Sequence, residues 1–114
     1  METIEIARAI INHLEEKKAE NLVLIDIINM AIFADYFVIC SGTSDRMLNA
    51  LAKSVIEFLH QDYHLSASKE GEPRDGWVLI DVGDIIIHLF SPEKRNYYKL
   101  EDLWSQGKIL LHVQ

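Results

Sequence analysis

The stretch Asp-Tyr-Phe-Val-Ile-Cys-Ser-Gly-Thr-Ser-Asp-Arg, residues 35–46, decides the fold because it joins a strand to a helix through a short polar loop. Its first half is β-branched, aromatic and apolar on both faces, which is typical of a strand buried between two layers. Gly42 ends the strand, and Thr43 or Ser44 offers a side-chain oxygen to the free N–H groups of a helix start. Asp45 adds negative charge where the helix dipole favours it. A buried strand with a polar tip at its carboxyl end predicts an α/β fold.

The polar tip, residues 42–45, has two interpretations, a phosphate-binding loop and a well-capped turn. The loop has the single glycine Gly42 and no Lys-Ser/Thr pair after it, so it does not match a P-loop. The residues alone therefore favour the capped turn. Whether the tip binds any ligand stays open at this point.

The rest of the chain divides into segments of helical and strand periodicity. Helices are predicted at 3–18 and 44–60, and strands at 22–28, 35–40, near 65–68, 77–82 and 85–90. These segments predict a single α/β (α+β) domain at 1–107, with a mixed sheet of about five strands and two main helices on one face. Residues 108–114 form an apolar tail that we expect to add a last strand or to pack at a dimer contact.

The strands at 77–82 and 85–90 form the clearest local unit, a β-hairpin. Gly83 and Asp84 are its two-residue turn, and glycine at the first position favours a type II′ geometry. This turn sets the register of the hairpin, with Val82 opposite Ile85, Ile80 opposite Ile87 and Val78 opposite Leu89. The face that carries these six aliphatic side chains is predicted to face the core.

The other hairpin face mixes aromatic rings with a carboxylate and an imidazole. Its residues are Trp77, Leu79, Asp81, Ile86, His88 and Phe90. In one interpretation the C-terminal segment covers this face, since Leu100, Leu103 and Trp104 recur there at helical spacing. In the other the face is a partly exposed binding patch, because aromatic residues are enriched at the centres of interfaces. The pattern favours the first only narrowly, and both stay open.

Composition and charge exclude several classes of protein. The 114 residues suffice for one domain with a sizeable core, and no apolar run is long enough to span a bilayer. A single cysteine, Cys40, gives no disulfide framework, and the acidic start does not resemble a signal peptide, so we expect a cytoplasmic protein. The net charge is −7 and the eleven Lys and Arg are scattered. We therefore expect a basic protein partner, little direct nucleic-acid contact and no membrane association.

Three motifs in order carry a resemblance to a known family. They are residues 35–46, residues 74–90 from Arg-Asp-Gly-Trp to His-Leu-Phe, and residues 92–104 from Pro-Glu-Lys-Arg to Asp-Leu-Trp. Together, and over residues 4–104, the chain resembles the ribosomal silencing factor family, also called Iojap-like. The resemblance implies a homodimeric protein that binds the large ribosomal subunit through ribosomal protein uL14. It also implies that the protein sterically blocks joining of the small subunit and so represses translation under nutrient limitation.

The resemblance gives the aromatic hairpin face a role, since a docking surface for the large subunit is then expected. We assign partner binding to Trp77, Leu79, Ile86, His88, Phe90, Tyr97 and Tyr98. The two tyrosines follow Ser91 and Pro92, which are suited to begin a short helix. A dimeric adaptor with a partner outside the ribosome is a further hypothesis that the acidic charge also fits.

The strongest enzymatic alternative is a nucleotide-binding or nucleotidyltransferase-like enzyme, because the family's fold resembles a reduced nucleotidyltransferase. Such enzymes need closely spaced carboxylates to hold two metal ions. Asp45 is followed by Arg46, and Asp81 has no acidic partner two residues away. Asp81 and His88 lie on one hairpin face and can form a hydrogen-bonded pair, but no nucleophile is evident beside them. We therefore expect a protein without catalytic residues, metal or cofactor.

Overall fold

The computed structural model describes residues 2–98 and 108–113, and for residues 96–98 it describes the backbone alone. Within these residues the chain forms three helices and six strands. In order they are α1 (Thr3–Glu16), β1 (Glu20–Asp26), β2 (Tyr36–Ser41), α2 (Asp45–Tyr63), β3 (Ser68–Glu72), β4 (Trp77–Asp81), β5 (Ile85–Phe90), α3 (Pro92–Tyr98) and β6 (Lys108–Val113). A single 3₁₀ turn, Pro73–Asp75, joins β3 to β4. The predicted α+β class is confirmed.

The strands form one mixed sheet in the order β3-β4-β5-β2-β1-β6. The central pair, β2 and β5, is parallel, and the other neighbours are antiparallel. The sheet has six strands rather than about five, because residues of the apolar tail pair with β1 as β6. The other edge strand, β3, lies at Ser68–Glu72 instead of near 65–68.

Helices α1 and α2 pack on the same face of the sheet, as predicted. Their buried side chains recur at helical spacing and meet the aliphatic residues of the strands: Ala7, Ile10, Ile11, Leu14, Leu48, Leu51, Ala52, Val55 and Leu59. The hairpin residues Val78, Ile80, Ile85, Ile87 and Leu89 are all buried in this core. Cys40 lies there too, and burial raises the pKa of its thiol to about 12, so it behaves as a small apolar residue.

Local polar contacts set the ends of these elements. The Ser44 hydroxyl accepts a hydrogen bond from the Met47 N–H at 3.1 Å, which decides the cap of α2 in favour of Ser44 over Thr43. The helix runs on to Tyr63, beyond the predicted end at 60. The Asp26 carboxylate accepts from the Ile28 N–H at 3.0 Å, and β1 therefore ends two residues before its predicted end.

The hairpin between β4 and β5 has the predicted register. Val78 pairs with Leu89 and Ile80 with Ile87, while the Val82 N–H donates to the Ile85 carbonyl at 3.0 Å. Gly83 has φ of +93°, which the first central position of a type II′ turn requires. The turn chemistry therefore fixes which side chains face the helices and which face the opposite side.

Candidate protein-docking site

The sheet face opposite α1 and α2, called the aromatic face below, is built from alternate residues of β4, β5, β2, β1 and β6. Strand pairing sets these side chains in three rows across the sheet. The first row is Trp77, Phe90 and Ser41. The second row is Leu79, His88, Ile39, Val23 and His112. The third row is Asp81, Ile86, Phe37, Ile25 and Ile109. The hairpin residues singled out from sequence are thus one side of a wider surface.

A series of ring contacts crosses this face. Trp77 stacks on Phe90 with ring centroids 5.2 Å apart, and its centroid lies 6.0 Å from that of His88. His88 in turn meets the edge of Phe37 at 4.8 Å, and Phe37 lies 6.1 Å from Phe33 in the loop between β1 and β2. Such pairs add specific geometry to area burial, so each ring orients the next.

His88 is bonded to Trp77 and not to Asp81, which corrects the pair suggested by the hairpin register. The Trp77 indole N–H donates to His88 Nδ1 at 3.2 Å. Asp81 instead accepts from the Gly83 N–H at 2.8 Å and stabilises the hairpin turn. Because an indole nitrogen can only donate, Nδ1 must be unprotonated and neutral His88 carries its proton on Nε2.

Burial keeps this imidazole uncharged. His88 is 5% exposed, and burial lowers its pKa to about 4. Its Nε2 atom is buried and has no hydrogen-bond partner among the residues that the structure describes. Proton transfer near neutral pH needs a pKa close to 7, which this imidazole does not have. A neutral ring fixed by Trp77 is instead suited to support an apolar contact surface.

Five of the seven predicted site residues lie together on the aromatic face, at two depths. Trp77, Leu79 and Ile86 are half-buried, whereas His88 and Phe90 are buried. Tyr97 and Tyr98 belong to α3, but their side chains lie outside the described residues, as do Leu100, Leu103 and Trp104, which we expected to pack against the domain. A groove of about 160 Å³ beside Trp77 and Leu79 is lined also by Glu70 and Gly71 of β3.

Helix α3 is fastened next to the first row of the aromatic face. The Arg95 guanidinium donates to the buried Ser41 hydroxyl at 3.1 Å and also to the Asn21 carbonyl. Ser91 begins the helix, since its hydroxyl accepts from the Lys94 N–H at 3.2 Å, as expected for an N-cap. The backbone of the two predicted tyrosines therefore stands at the Ser41 end of the row that contains Trp77.

Sequence reasoning missed the part of this face that β2 and the loop before it contribute, above all Phe37, Ile39 and Phe33. The strand Tyr36–Ser41 is apolar on both faces, so alternation within it carries no signal of which residues share a surface. The parallel pairing of β2 with β5 supplies that information by placing Phe37 beside Ile86 and Ile39 beside His88.

The electrostatic character of the face is acidic. Residues 19–45 and 75–93, which form most of it, contain no lysine or arginine. Asp81 and Asp84 are exposed at one end of the hairpin, and the Asp84 carbonyl accepts from the Asp35 N–H at 2.7 Å, which brings Asp35 to the same end. Such a surface repels phosphate groups and attracts a basic protein.

The polar tip at 42–45 borders a separate cleft of about 350 Å³, lined by side chains of both charges that include Asp45, Arg74, Asp75 and Lys94. The Ser44 oxygen already caps α2, which supports the capped-turn interpretation.

Within residues 2–98 and 108–113 no group of three or more His, Cys, Asp or Glu side chains is placed to hold a metal ion. None of the helices in these ranges is long and apolar enough to cross a membrane.

Comparison with known proteins identifies the family. Residues 1–113 match the family model described as ribosomal silencing factor during starvation. The ribosomal silencing factor RsfS of Bacillus subtilis is 34% identical over 95 residues, which are 83% of this chain and 80% of the relative. A mouse protein named mitochondrial assembly of ribosomal large subunit protein 1 is 33% identical, and the match spans 84% of this chain and 43% of that protein.

Solved structures show the same architecture. A crystal structure of a Chromobacterium violaceum protein superposes with a TM-score of 0.87 at 30% sequence identity, covering 100% of this chain and 94% of the other. The fold and the family match over residues 1–113 agree with one another. The chain belongs to the ribosomal silencing factor family.

Proposed function

We propose that this protein binds the large ribosomal subunit through ribosomal protein uL14 and sterically blocks association with the small subunit. The observation that carries the proposal is membership of the silencing factor family over residues 1–113. The name of the mouse relative refers to the large subunit, which supports the choice of that subunit. In this proposal the protein represses translation in the cytoplasm under nutrient limitation. It acts as a homodimer or with one protomer retained on the ribosome.

The aromatic face supplies the contact surface. Trp77, Leu79 and Ile86 are half-buried and offer apolar area to a partner, while His88 and Phe90 hold Trp77 in place from the interior. A tryptophan already fixed by stacking and a hydrogen bond loses little conformational freedom on binding, which is how anchor residues gain affinity. The proposal also assigns partner contacts to Tyr97 and Tyr98, whose backbone belongs to α3.

Charge favours a basic protein over RNA as the direct contact. Residues 19–45 and 75–93, which form most of the face, have no lysine or arginine, and the chain carries a net charge of −7. Many ribosomal proteins are basic, and complementary charge raises the association rate and excludes wrong orientations. Direct contact with ribosomal RNA is therefore minor in this proposal.

To block joining of the small subunit, the protein needs only to occupy space on the large subunit. The domain measures 33 × 32 × 24 Å, so once it is seated on the large subunit it excludes any surface that must come within about that distance. No bond is made or broken and no residue acts as a catalyst. The affinity for the large subunit and the position of the domain then determine the effect on translation.

Co-sedimentation with separated ribosomal subunits tests the proposal, with Trp77→Glu as the main variant. A charge placed at the centre of a buried contact costs about 2 kcal/mol or more, roughly thirtyfold in affinity. The matched control is Ala50→Glu, which adds the same charge on the exposed side of α2, away from the aromatic face. Circular dichroism checks that both variants are folded.

We expect the wild type and Ala50→Glu to travel with the large subunit alone and to lower the yield of joined ribosomes. Trp77→Glu should do neither at the same concentration. Absence of the wild type from both subunits at low salt would refute ribosome binding and leave a partner outside the ribosome. Wild-type affinity in Trp77→Glu would remove Trp77 from the site.

A further inference from the structure

The loop between β1 and β2, residues 27–34, arranges its apolar side chains against the usual pattern. Its inward positions are Ile27 and Ala34, which are buried, and Ala31, which packs against the same cluster. Four larger side chains are exposed: Ile28, Met30, Ile32 and Phe33, with Phe33 54% exposed and Ile32 fully exposed. Among the described residues this is the densest group of large exposed apolar side chains.

A loop that served only to close the sheet would turn its large side chains inward, because burial is what makes them stabilising. Here only Ile27 of the large residues is buried, and the exposed ones lie within six consecutive positions. Concentrated exposed apolar surface of this kind marks an interaction site. The loop also carries no charged residue of its own, so its burial against a partner would desolvate no charge within it.

The loop is continuous with the docking surface through its rings. The ring centroids of Phe33 and Phe37 lie 6.1 Å apart, and those of Phe37 and His88 lie 4.8 Å apart. His88 in turn accepts a hydrogen bond from Trp77. Asp35 follows the loop directly, and its N–H is bonded to the carbonyl of Asp84 at the hairpin turn. An apolar loop therefore stands beside an acidic rim at one end of the aromatic face.

We propose that residues 28–33 are a second apolar anchor of the docking surface, which inserts into an apolar pocket rimmed by lysine and arginine on the bound protein. This inference rests on the proposed function, since it names the chemistry of that partner's surface. Trp77 holds one end of the interface and Ile32 the other. The carboxylates of Asp35 and Asp84 face the basic rim.

Charge separates this partner from two other occupants. A second copy of the chain, placed loop against loop, would bring two acidic rims together, and like charges at an interface are costly. An anionic membrane surface would be repelled by the same carboxylates, and the loop has none of the lysine or arginine that membrane-surface segments use. A basic protein surface satisfies both the apolar loop and its rim.

The test measures affinity for purified large subunits with Ile32→Ser, whose side chain is fully exposed and can change without cost to the fold. Leu111→Ser is the matched control, because Leu111 is an exposed large aliphatic residue on the edge strand β6. Asp84→Asn tests the acidic rim, and Trp77→Glu serves as the reference for the rest of the interface.

We expect Ile32→Ser to weaken binding to large subunits about tenfold and Leu111→Ser to leave it unchanged. Asp84→Asn should slow association and reduce its salt dependence.

The outcomes separate the two proposals. If the wild type does not bind large subunits, the proposed function fails and this inference fails with it. If the wild type binds and Trp77→Glu is impaired while Ile32→Ser binds normally, only the loop anchor is refuted. A shift from dimer to monomer in Ile32→Ser without a change in subunit affinity would reassign the loop to a second copy. Flotation of the wild type, but not of Ile32→Ser, with phosphatidylcholine vesicles would likewise refute a protein pocket.

Discussion

The two faces of the sheet use the same strands for different purposes. On the helix-covered face, aliphatic side chains such as Ile80, Ile87 and Leu89 are buried by α1 and α2. On the aromatic face, rings and an imidazole stand in rows whose centre is buried and whose margins, Trp77 and Ile86, are half-exposed. Complete burial by the chain's own helices turns apolar area into stability. Partial burial leaves part of that area available to a partner.

Neighbouring residues of β5 offer the sharpest test of this difference, since Ile87 faces the helices and Ile86 the aromatic face. Ile87→Ala removes a fully buried side chain and leaves a cavity, so we expect a loss of about 2–5 kcal/mol in the free energy of unfolding. Ile86→Ala should cost less, about 1 kcal/mol, because its side chain is already partly hydrated. Urea unfolding gives both values.

The same pair should respond in the opposite order in binding. In the absence of urea, where both variants are folded, Ile86→Ala should weaken attachment to the large subunit more than Ile87→Ala. Equal losses of stability for the two substitutions would show that the aromatic face is as fully packed as the other. The distinction drawn between the faces would then be wrong.

The dependence of stability on pH probes the aromatic face through His88. Its pKa is about 4 in the folded protein and near 6.5 in the unfolded chain, so between these values the unfolded state binds more protons. Stability is therefore complete above pH 6.5 and falls as the pH is lowered towards 4. From about pH 7 to pH 5 this residue should account for a loss of roughly 2 kcal/mol in the free energy of unfolding.

His88→Gln is the comparison for this measurement, because glutamine offers an acceptor to the Trp77 indole and does not titrate. His13, whose pKa is also lowered by burial, contributes equally to both proteins. Urea unfolding at the two pH values should show a smaller decline for His88→Gln than for the wild type. Identical declines would show that His88 is not held neutral by burial.

The smallest effect concerns the helix-covered face, where the cap of α2 holds one of the covering helices. Ser44→Ala removes the acceptor for the Met47 N–H and should lower stability by about 1 kcal/mol. Thr43→Ala, at the neighbouring exposed position, should change it by less than about half as much. Aromatic-face binding should be the same in both variants. A larger loss from Thr43→Ala would reassign the cap.

Sequence alone predicted the elements whose signals are local. The Gly83-Asp84 turn fixed the hairpin register, the spacing of apolar residues located both long helices, and the Ser44 region marked the start of α2. Strand alternation also placed on one face five residues to which we assign partner binding: Trp77, Leu79, Ile86, His88 and Phe90.

The fold class, the hairpin and the family could be predicted without the structure, because turn chemistry, periodicity and the order of motifs are all read along the chain. The tertiary structure alone decided that β6 pairs with β1, that Phe37 stands beside His88, and that His88 bonds Trp77. It also decided that residues 28–33 expose their large side chains. These features depend on contacts between segments far apart in the chain, and in strands that are apolar on both faces no local pattern specifies them.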